Sequence, residues 1–233
     1  MPRRTPGVLS RTASTVSNSV RLIEAQREPH ARFWDEWNAE AAAADGPLWL
    51  AFGDSSSQGI GSPDPMQGWV PRMTDRLRAE TGDPWRSINL SITGAQLADI
   101  RSHQLPRLHQ LTDAGQPPQL VTHLAGANDL MAPGTWLSTK SNLLEVLGDL
   151  PDGAVVARVG ASNKLNGFMG RMINRTIERQ ASSRDFHLFW PWNWPSRDGF
   201  AEDRWHPSPV GYGYMVDLIW PRICDSLGIN PTR

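Results

Sequence analysis

From Leu48 onward, short apolar runs alternate with longer stretches whose apolar residues recur every three to four positions. The short runs predict buried strands at Leu48–Gly53, Ser87–Ile92, Leu120–Ala125, Ala154–Val159 and Phe186–Phe189. The longer stretches predict helices at Trp69–Glu80, Gln96–Leu111, Thr135–Leu147, Asn166–Ala181 and Val210–Leu227. Alternating buried strands and amphipathic helices imply a parallel sheet covered on both faces, hence an α/β chain folded as a three-layer α/β/α sandwich around five mainly parallel strands. Ligands of such sheets sit beyond the carboxyl ends of the strands. Ser55, Gly94 and Asn128 each fall just after a predicted strand, so three separate patches converge on that one edge.

The chain ahead of Leu48 reads differently. Residues 1 to about 17, rich in Ser, Thr, Arg and Pro, predict disorder. Residues 18–45 predict helix in two pieces, one carrying Val20 and Ile23, the other Phe33, Trp34 and Trp37, with the break near Pro29. Gly46-Pro47 then stops the helix. The organisation expected is an N-terminal extension over residues 1–46, disordered then helical, followed by one domain over residues 47–233. The extension is expected to pack on that domain as an added helical element, with docking of a partner as the alternative.

Composition narrows the class. At 233 residues and a formal net charge of −1, the chain can bury a sizeable core and carries no basic footprint for nucleic acid. Its one cysteine, Cys224, excludes an internal disulfide framework. The basic start is followed by Ser, Thr and Asn rather than an apolar signal core, and no run approaches about 18 apolar residues. A soluble, cytoplasmic protein without a membrane-spanning segment is the expectation. Oligomeric state is not legible.

Four patches carry the chemistry: Gly53-Asp54-Ser55-Ser56, Gly94, Gly126-Ala127-Asn128-Asp129, and Asp203-Arg204-Trp205-His206-Pro207. A serine hydroxyl is a weak nucleophile until a base takes its proton, and His206 is suited to that task with Asp203 to fix its tautomer. A helix opening soon after Ser55 would aim backbone N–H groups at a developing anion. An Asn amide at 128 adds a donor without adding charge, and Asp129 beside it is expected to brace the loop. Each patch alone also reads as an ordinary turn; their order carries the argument. His123, in the third predicted strand, reads as a core histidine with a satisfied hydrogen bond, and Gly59-Ile60-Gly61 as a loop-shaping element. No zinc, nucleotide-phosphate or dinucleotide motif is present, so neither a metal nor a cofactor is expected.

This set of patches resembles the SGNH/GDSL hydrolase family, from about Leu48 to Ile223. The resemblance implies Ser55 as nucleophile, Asp203 and His206 as the rest of the triad, and an oxyanion hole formed by the Ser55 and Gly94 backbone N–H groups with the Asn128 amide. Ser56 stands where the family's common pattern has Leu. The implied activity is hydrolysis of carboxylic esters (small acyl esters, lipids or acylated sugars) through an acyl-serine, on a small-molecule substrate. An acyltransferase using the same triad and a catalytically silent binding domain stay open as alternatives.

The eleven tryptophans against two tyrosines are unusual, and Trp190, Trp192, Trp194 and Trp205 crowd the approach to His206. An extended Trp190–Trp194 segment would turn its indoles to one side. Two readings stand: an aromatic plug in the core, favoured because buried aromatics dominate cores, or a substrate-pocket wall that includes Trp192 and Trp194.

Overall fold

The computed structural model describes residues 18–131, 136–160, 164–192 and 196–230. Strand β1, Leu48–Gly53, is buried throughout. Its Leu48, Leu50 and Phe52 enter one apolar core while Trp49 and Ala51 enter another, the period-two alternation of a central strand. The two helices α1, Asn18–Glu24, and α2, Arg27–Ala43, precede it. After it come α3, Trp69–Thr81, and β2, Arg86–Asn89. Next are α4, Leu97–Asp99, a π-helical turn Ile100–Gln104, α5, Leu105–Asp113, and β3, Leu120–Leu124. The chain continues through α6, Ala127–Leu130, α7, Trp136–Asp149, and β4, Val155–Ala157. It ends with α8, Lys164–Arg184, β5, His187–Phe189, and α9, Pro209–Leu227.

All five strands are parallel, in the order β2-β1-β3-β4-β5. Side chains from α4, α5, α7 and α8 pack with one core, and those of α3 and α9 with the other. The result is the three-layer sandwich that the alternating pattern implied. Because β1 lies between β2 and β3, the chain leaves it on one side and later returns on the other. That reversal opens a crevice at the carboxyl ends of β1 and β3, the place where open sheets bind ligands.

Helix α2 wraps the free edge of the sheet. Trp34 joins one core and Ala41 the other, so the helix straddles the edge strand β2. Between them Asn38 imitates a neighbouring strand: its amide donates to the Asn89 carbonyl at 2.8 Å and its oxygen accepts the Asn89 N–H at 2.8 Å. The Trp37 indole likewise donates to the Ser87 carbonyl at 2.9 Å. An edge that would otherwise present unpaired backbone groups is thereby closed.

Several expectations are corrected. The leader breaks at Ala25–Gln26 rather than at Pro29, which sits in the first turn of α2 where its missing N–H leaves no helical bond unmade. Strand β2 ends at Asn89 instead of Ile92, because the Asn89 side chain turns the chain by accepting the Ser91 N–H at 3.1 Å and donating to the Ser57 carbonyl at 2.7 Å. The helix expected over Gln96–Leu111 contains the π turn just before Pro106, which has no N–H to give. His123 is fully buried, yet neither ring nitrogen has a hydrogen-bond partner, and burial lowers its pKa to about 4, so it packs as a neutral ring. Residues 1–17, expected to be disordered, lie outside the described residues. Cys224 is buried in α9, and no described helix is long and apolar enough to cross a membrane.

Asn38→Leu removes both bonds to Asn89 and leaves its N–H and carbonyl without that partner. We expect a loss of about 1–3 kcal/mol, seen as a lower urea midpoint at unchanged m-value. An unmoved midpoint would count against the edge-closing role.

Candidate active site

Strand β1 delivers Ser55 to the crevice by way of a clamp. Gln104, the last residue of the π turn, is fully buried and grips Gly53 with both ends of its amide. It donates to the Gly53 carbonyl at 2.9 Å and accepts the Gly53 N–H at 3.0 Å. Gly53 is required here, since a Cβ would lie 2.2 Å from the Ser57 hydroxyl oxygen and 3.0 Å from the Leu124 carbonyl. Beyond it no helix opens after Ser55, contrary to expectation. Consecutive turns run to about residue 61, with the Asp54 carboxylate accepting the Ser56 N–H at 3.0 Å. Tyr212 of α9 donates to the Ile60 carbonyl at 2.6 Å, and Trp34 of the leader donates to the Gln58 carbonyl at 3.0 Å.

The second half of the site comes from the loop before α9. Asp203 divides its carboxylate between two tasks. Oδ1 accepts the N–H groups of Trp205 and His206, each at 3.0 Å, which closes a tight turn and sets Arg204 at φ 56°. Oδ2 meets His206 Nδ1 at 2.6 Å, and His206 Nε2 lies 3.0 Å from Ser55 Oγ. The spacing of three residues is thus the turn itself, with one carboxylate holding both backbone and ring. Burial pushes the Asp203 carboxyl up, but the hydrogen bond and charge of His206, with the two backbone N–H groups, outweigh it and hold the pKa below the ordinary value. The turn fits because Gly61 (φ 104°) has no side chain; a Cβ there would sit 2.2 Å from the Pro207 carbonyl oxygen and 2.8 Å from His206 Cβ.

Asn128 opens α6 at the end of β3. Its amide donates to the Ala95 carbonyl at 2.9 Å and to Asp54 Oδ2 at 3.2 Å, the latter the weaker contact by length. Asp129 is buried and accepts the Leu97 N–H at 3.0 Å, tying this loop to α4. Gly94 occupies the turn after β2 with φ 78°. Burial raises Asp54 and Asp129 to about 6 each, so two carboxylates with weakened acidity flank the Asn128 loop.

A cavity of about 640 Å³ opens over Ser55 and Asn128, its walls formed by Trp190, Trp192, Phe200 and Trp205 with Arg204 beside them. Trp190 and Trp205 are about 40% exposed (42% and 41%), which corrects the core-plug reading for these two, whereas Trp192 is half-buried. The Trp190–Trp192 segment turns rather than extends, and Trp194 lies outside the described residues. Among the described residues no cluster of three or more His, Cys, Asp or Glu is placed to hold a metal ion.

Sequence reasoning missed Asp54, Gln104 and Arg204. Gln104 left a signal, as a polar residue in the Ile100–Leu108 apolar stripe. The second bond of Asp54, to Asn128, joins residues 74 positions apart and left none.

A family model for the GDSL-like lipase/acylhydrolase family matches residues 51–214, most of the chain. The protein therefore belongs to that family and is an SGNH/GDSL-type carboxylic ester hydrolase. Its fold is similar to several solved structures. TesA is 22% identical at TM-score 0.64, covering 77% of this chain and 99% of its own. The psychrotrophic esterase EstA from Pseudoalteromonas sp. is 19% identical at TM-score 0.60, covering 78% and 98%. A variant of Axe2, an acetyl xylan esterase from Geobacillus stearothermophilus, is 16% identical at TM-score 0.55, covering 82% and 98%. No curated protein matches in sequence.

The raised pKa of Asp54 has a stability consequence. Between an unfolded value near 4 and the folded value of about 6, the folded chain holds a proton that the unfolded chain releases. This contribution is fully present below about pH 4 and is lost as pH rises through about 6, on the order of 2–3 kcal/mol in all. Asp54→Asn should therefore show a smaller fall in stability from pH 4 to pH 7 than the parent chain. Parallel pH profiles of the melting temperature would contradict the assignment.

Proposed function

We propose that the chain hydrolyses carboxylic esters through an acyl-Ser55 intermediate. The hydrogen-bonded chain Ser55–His206–Asp203, whose Ser55 lines an aromatic-walled cavity, carries this reading. Ser55 Oγ adds to the ester carbonyl carbon as His206 Nε2 takes its proton, and Asp203 stabilises the resulting imidazolium through Nδ1–H. The carbonyl oxygen, now an anion, accepts hydrogen bonds from the Ser55 and Gly94 N–H groups and from the Asn128 amide. Asn128 redirects toward it the hydrogen it otherwise gives to Asp54 at the longer distance. Collapse expels the alcohol, which leaves with the proton from His206. Water then gives a proton to His206 and attacks the acyl carbon; the carboxylic acid leaves and Ser55 recovers its proton.

The cavity favours esters with an apolar or ring-shaped part. Indole faces suit an acyl chain or the apolar face of a sugar, and the Arg204 guanidinium beside them adds positive charge. The same wall also supports a second reading, acyl transfer to an alcohol or sugar hydroxyl, since aromatic cover limits access of water to the acyl-enzyme.

Ser55→Ala is expected to lower turnover of p-nitrophenyl esters by several orders of magnitude, about 10⁶ if it parallels other triad serine enzymes, and to abolish fluorophosphonate labelling without loss of fold. Near-parental turnover in this variant would reject the mechanism. Trp192→Ala should cost long acyl or sugar esters about 1–3 kcal/mol of transition-state binding while sparing acetyl esters. Equal loss for all esters, tracking a lower melting temperature, would make Trp192 structural instead. Product analysis with added alcohols distinguishes the two outcomes for the acyl group: free acid alone, or a new ester.

A further inference from the structure

The turn that carries Gly94 is held by a residue that lies ahead of the family match. The Ala95 N–H donates to the Ile92 carbonyl at 2.9 Å, closing a four-residue turn with Thr93 and Gly94 at its centre. Gly94 has φ 78°, close to the +80° or so of the third residue in a type II turn. Types I and II share the same closing bond and differ by turning over their central peptide, here the one joining Thr93 to Gly94. In a trans peptide the carbonyl and the N–H point in opposite directions. Whatever holds the Thr93 carbonyl therefore decides which way the Gly94 N–H faces. A glycine at this position removes the steric bias against either form, so the choice falls to the partners of the peptide.

That carbonyl is held by Arg27, the first residue of α2. Its Nη2 donates to the Thr93 carbonyl at 3.3 Å, while Nη1 is anchored to Glu24 at 3.1 Å. The guanidinium is largely buried, its side chain 17% exposed, so the contact is a charge-assisted bond partly shielded from water. On the other side of Thr93, the Gln58 side chain accepts the Thr93 N–H at 3.2 Å and its hydroxyl, while the Gln58 carbonyl is held by Trp34. The neighbouring Gln26 accepts the Gly61 N–H at 2.8 Å, at the glycine packed under His206. Both Gln26 and Arg27 lie ahead of residue 51, where the family match begins.

We propose that Arg27 is a positioning residue for ester hydrolysis: by binding the Thr93 carbonyl it keeps the Thr93–Gly94 peptide turned so that the Gly94 N–H faces the oxyanion. This rests on the reading of Gly94 as an oxyanion donor to a Ser55 adduct. Turning the peptide over would withdraw that donor and put a carbonyl oxygen in its place, opposing the charge that develops in the transition state. Loss of one such donor typically lowers turnover about 100- to 1000-fold, and a partial population of the turned peptide lowers it less. The leader thereby acts as an internal brace on catalysis in addition to closing the sheet edge.

The test uses the full-length chain with p-nitrophenyl butyrate, comparing Arg27→Met, Arg27→Lys and Glu24→Gln well below their melting temperatures. Phenylboronic acid serves as a transition-state probe, because its adduct with a serine hydroxyl places a negatively charged oxygen or hydroxyl in the hole. We expect Arg27→Met to lower kcat about 10- to 100-fold with KM within about twofold, and to weaken phenylboronic acid inhibition by the same factor. Arg27→Lys, which keeps a cationic donor, should recover part of both losses, and Glu24→Gln should show a smaller loss in both. A merely structural role predicts a lower melting temperature with kcat and boronate inhibition unmoved, and that result in the three variants overturns the proposal. If Arg27→Met does not fold, the Lys and Gln variants decide by the same two readouts. Fluorophosphonate labelling of the parent separates the two levels of failure. Absent labelling at Ser55 overturns the serine mechanism and this role with it, whereas normal labelling with unmoved Arg27 variants overturns the role of Arg27 alone.

Discussion

The contact between Ser55 Oγ and His206 Nε2, 3.0 Å long and spanning 151 positions of sequence, is the constraint that the rest of the structure serves. A hydroxyl and an imidazole exchange a proton only within hydrogen-bond reach, so the end of the first strand and the loop before the last helix must meet to within a few tenths of an ångström. Gln104 fixes one side by gripping Gly53. Asp203 fixes the other by closing its own turn while holding the ring. Gly61 lets the two loops approach until backbone meets backbone, and Tyr212 ties α9 to the same serine loop. Each of these groups is buried or nearly so, where a mispaired polar atom costs more than the bond itself contributes.

Electrostatically the site is built on carboxylates in three different settings. The Asp203 side chain is nearly buried but accepts three hydrogen bonds, one of them from the adjacent imidazole, and its pKa stays below the ordinary value. Asp54 and Asp129 are buried with fewer compensating donors, and their acidity is weakened. Asp54 nevertheless links the serine turn to Asn128, so the loops that carry Ser55 and Asn128 are tied together by one group. The same residue type is thus more acidic than usual in one place and less acidic in two others, and environment alone makes the difference.

The leader has a place in the same scheme. Edge strand β2 leads directly into the turn that carries Gly94, so whatever closes that edge also sets the position of the turn. Helix α2 does so with Asn38 at the strand, Trp34 at the serine loop and Arg27 at the turn, along one face of a single helix.

The sequence by itself determined the layered α/β architecture, because alternating short apolar runs and amphipathic stretches have few other ways to bury their faces. It also determined the candidate nucleophile, base and Asn donor, because each occupies a short patch just beyond a strand or before a helix. The pairing of Asp203 with His206 came from the family resemblance, which their spacing of three residues matches. The early end of β2 and the turns that follow Ser55 were decided by tertiary contacts, through the Asn89 side chain and the bonds that anchor the serine loop. Whether the tryptophans near His206 fill the core or line a cavity was also undetermined, because indole spacing does not say which face is covered. The clamp of Gln104, the link from Asp54 to Asn128 and the bond from Arg27 to Thr93 were invisible for one reason. Each joins residues between 51 and 74 positions apart, and only the packed chain brings such partners within hydrogen-bond range.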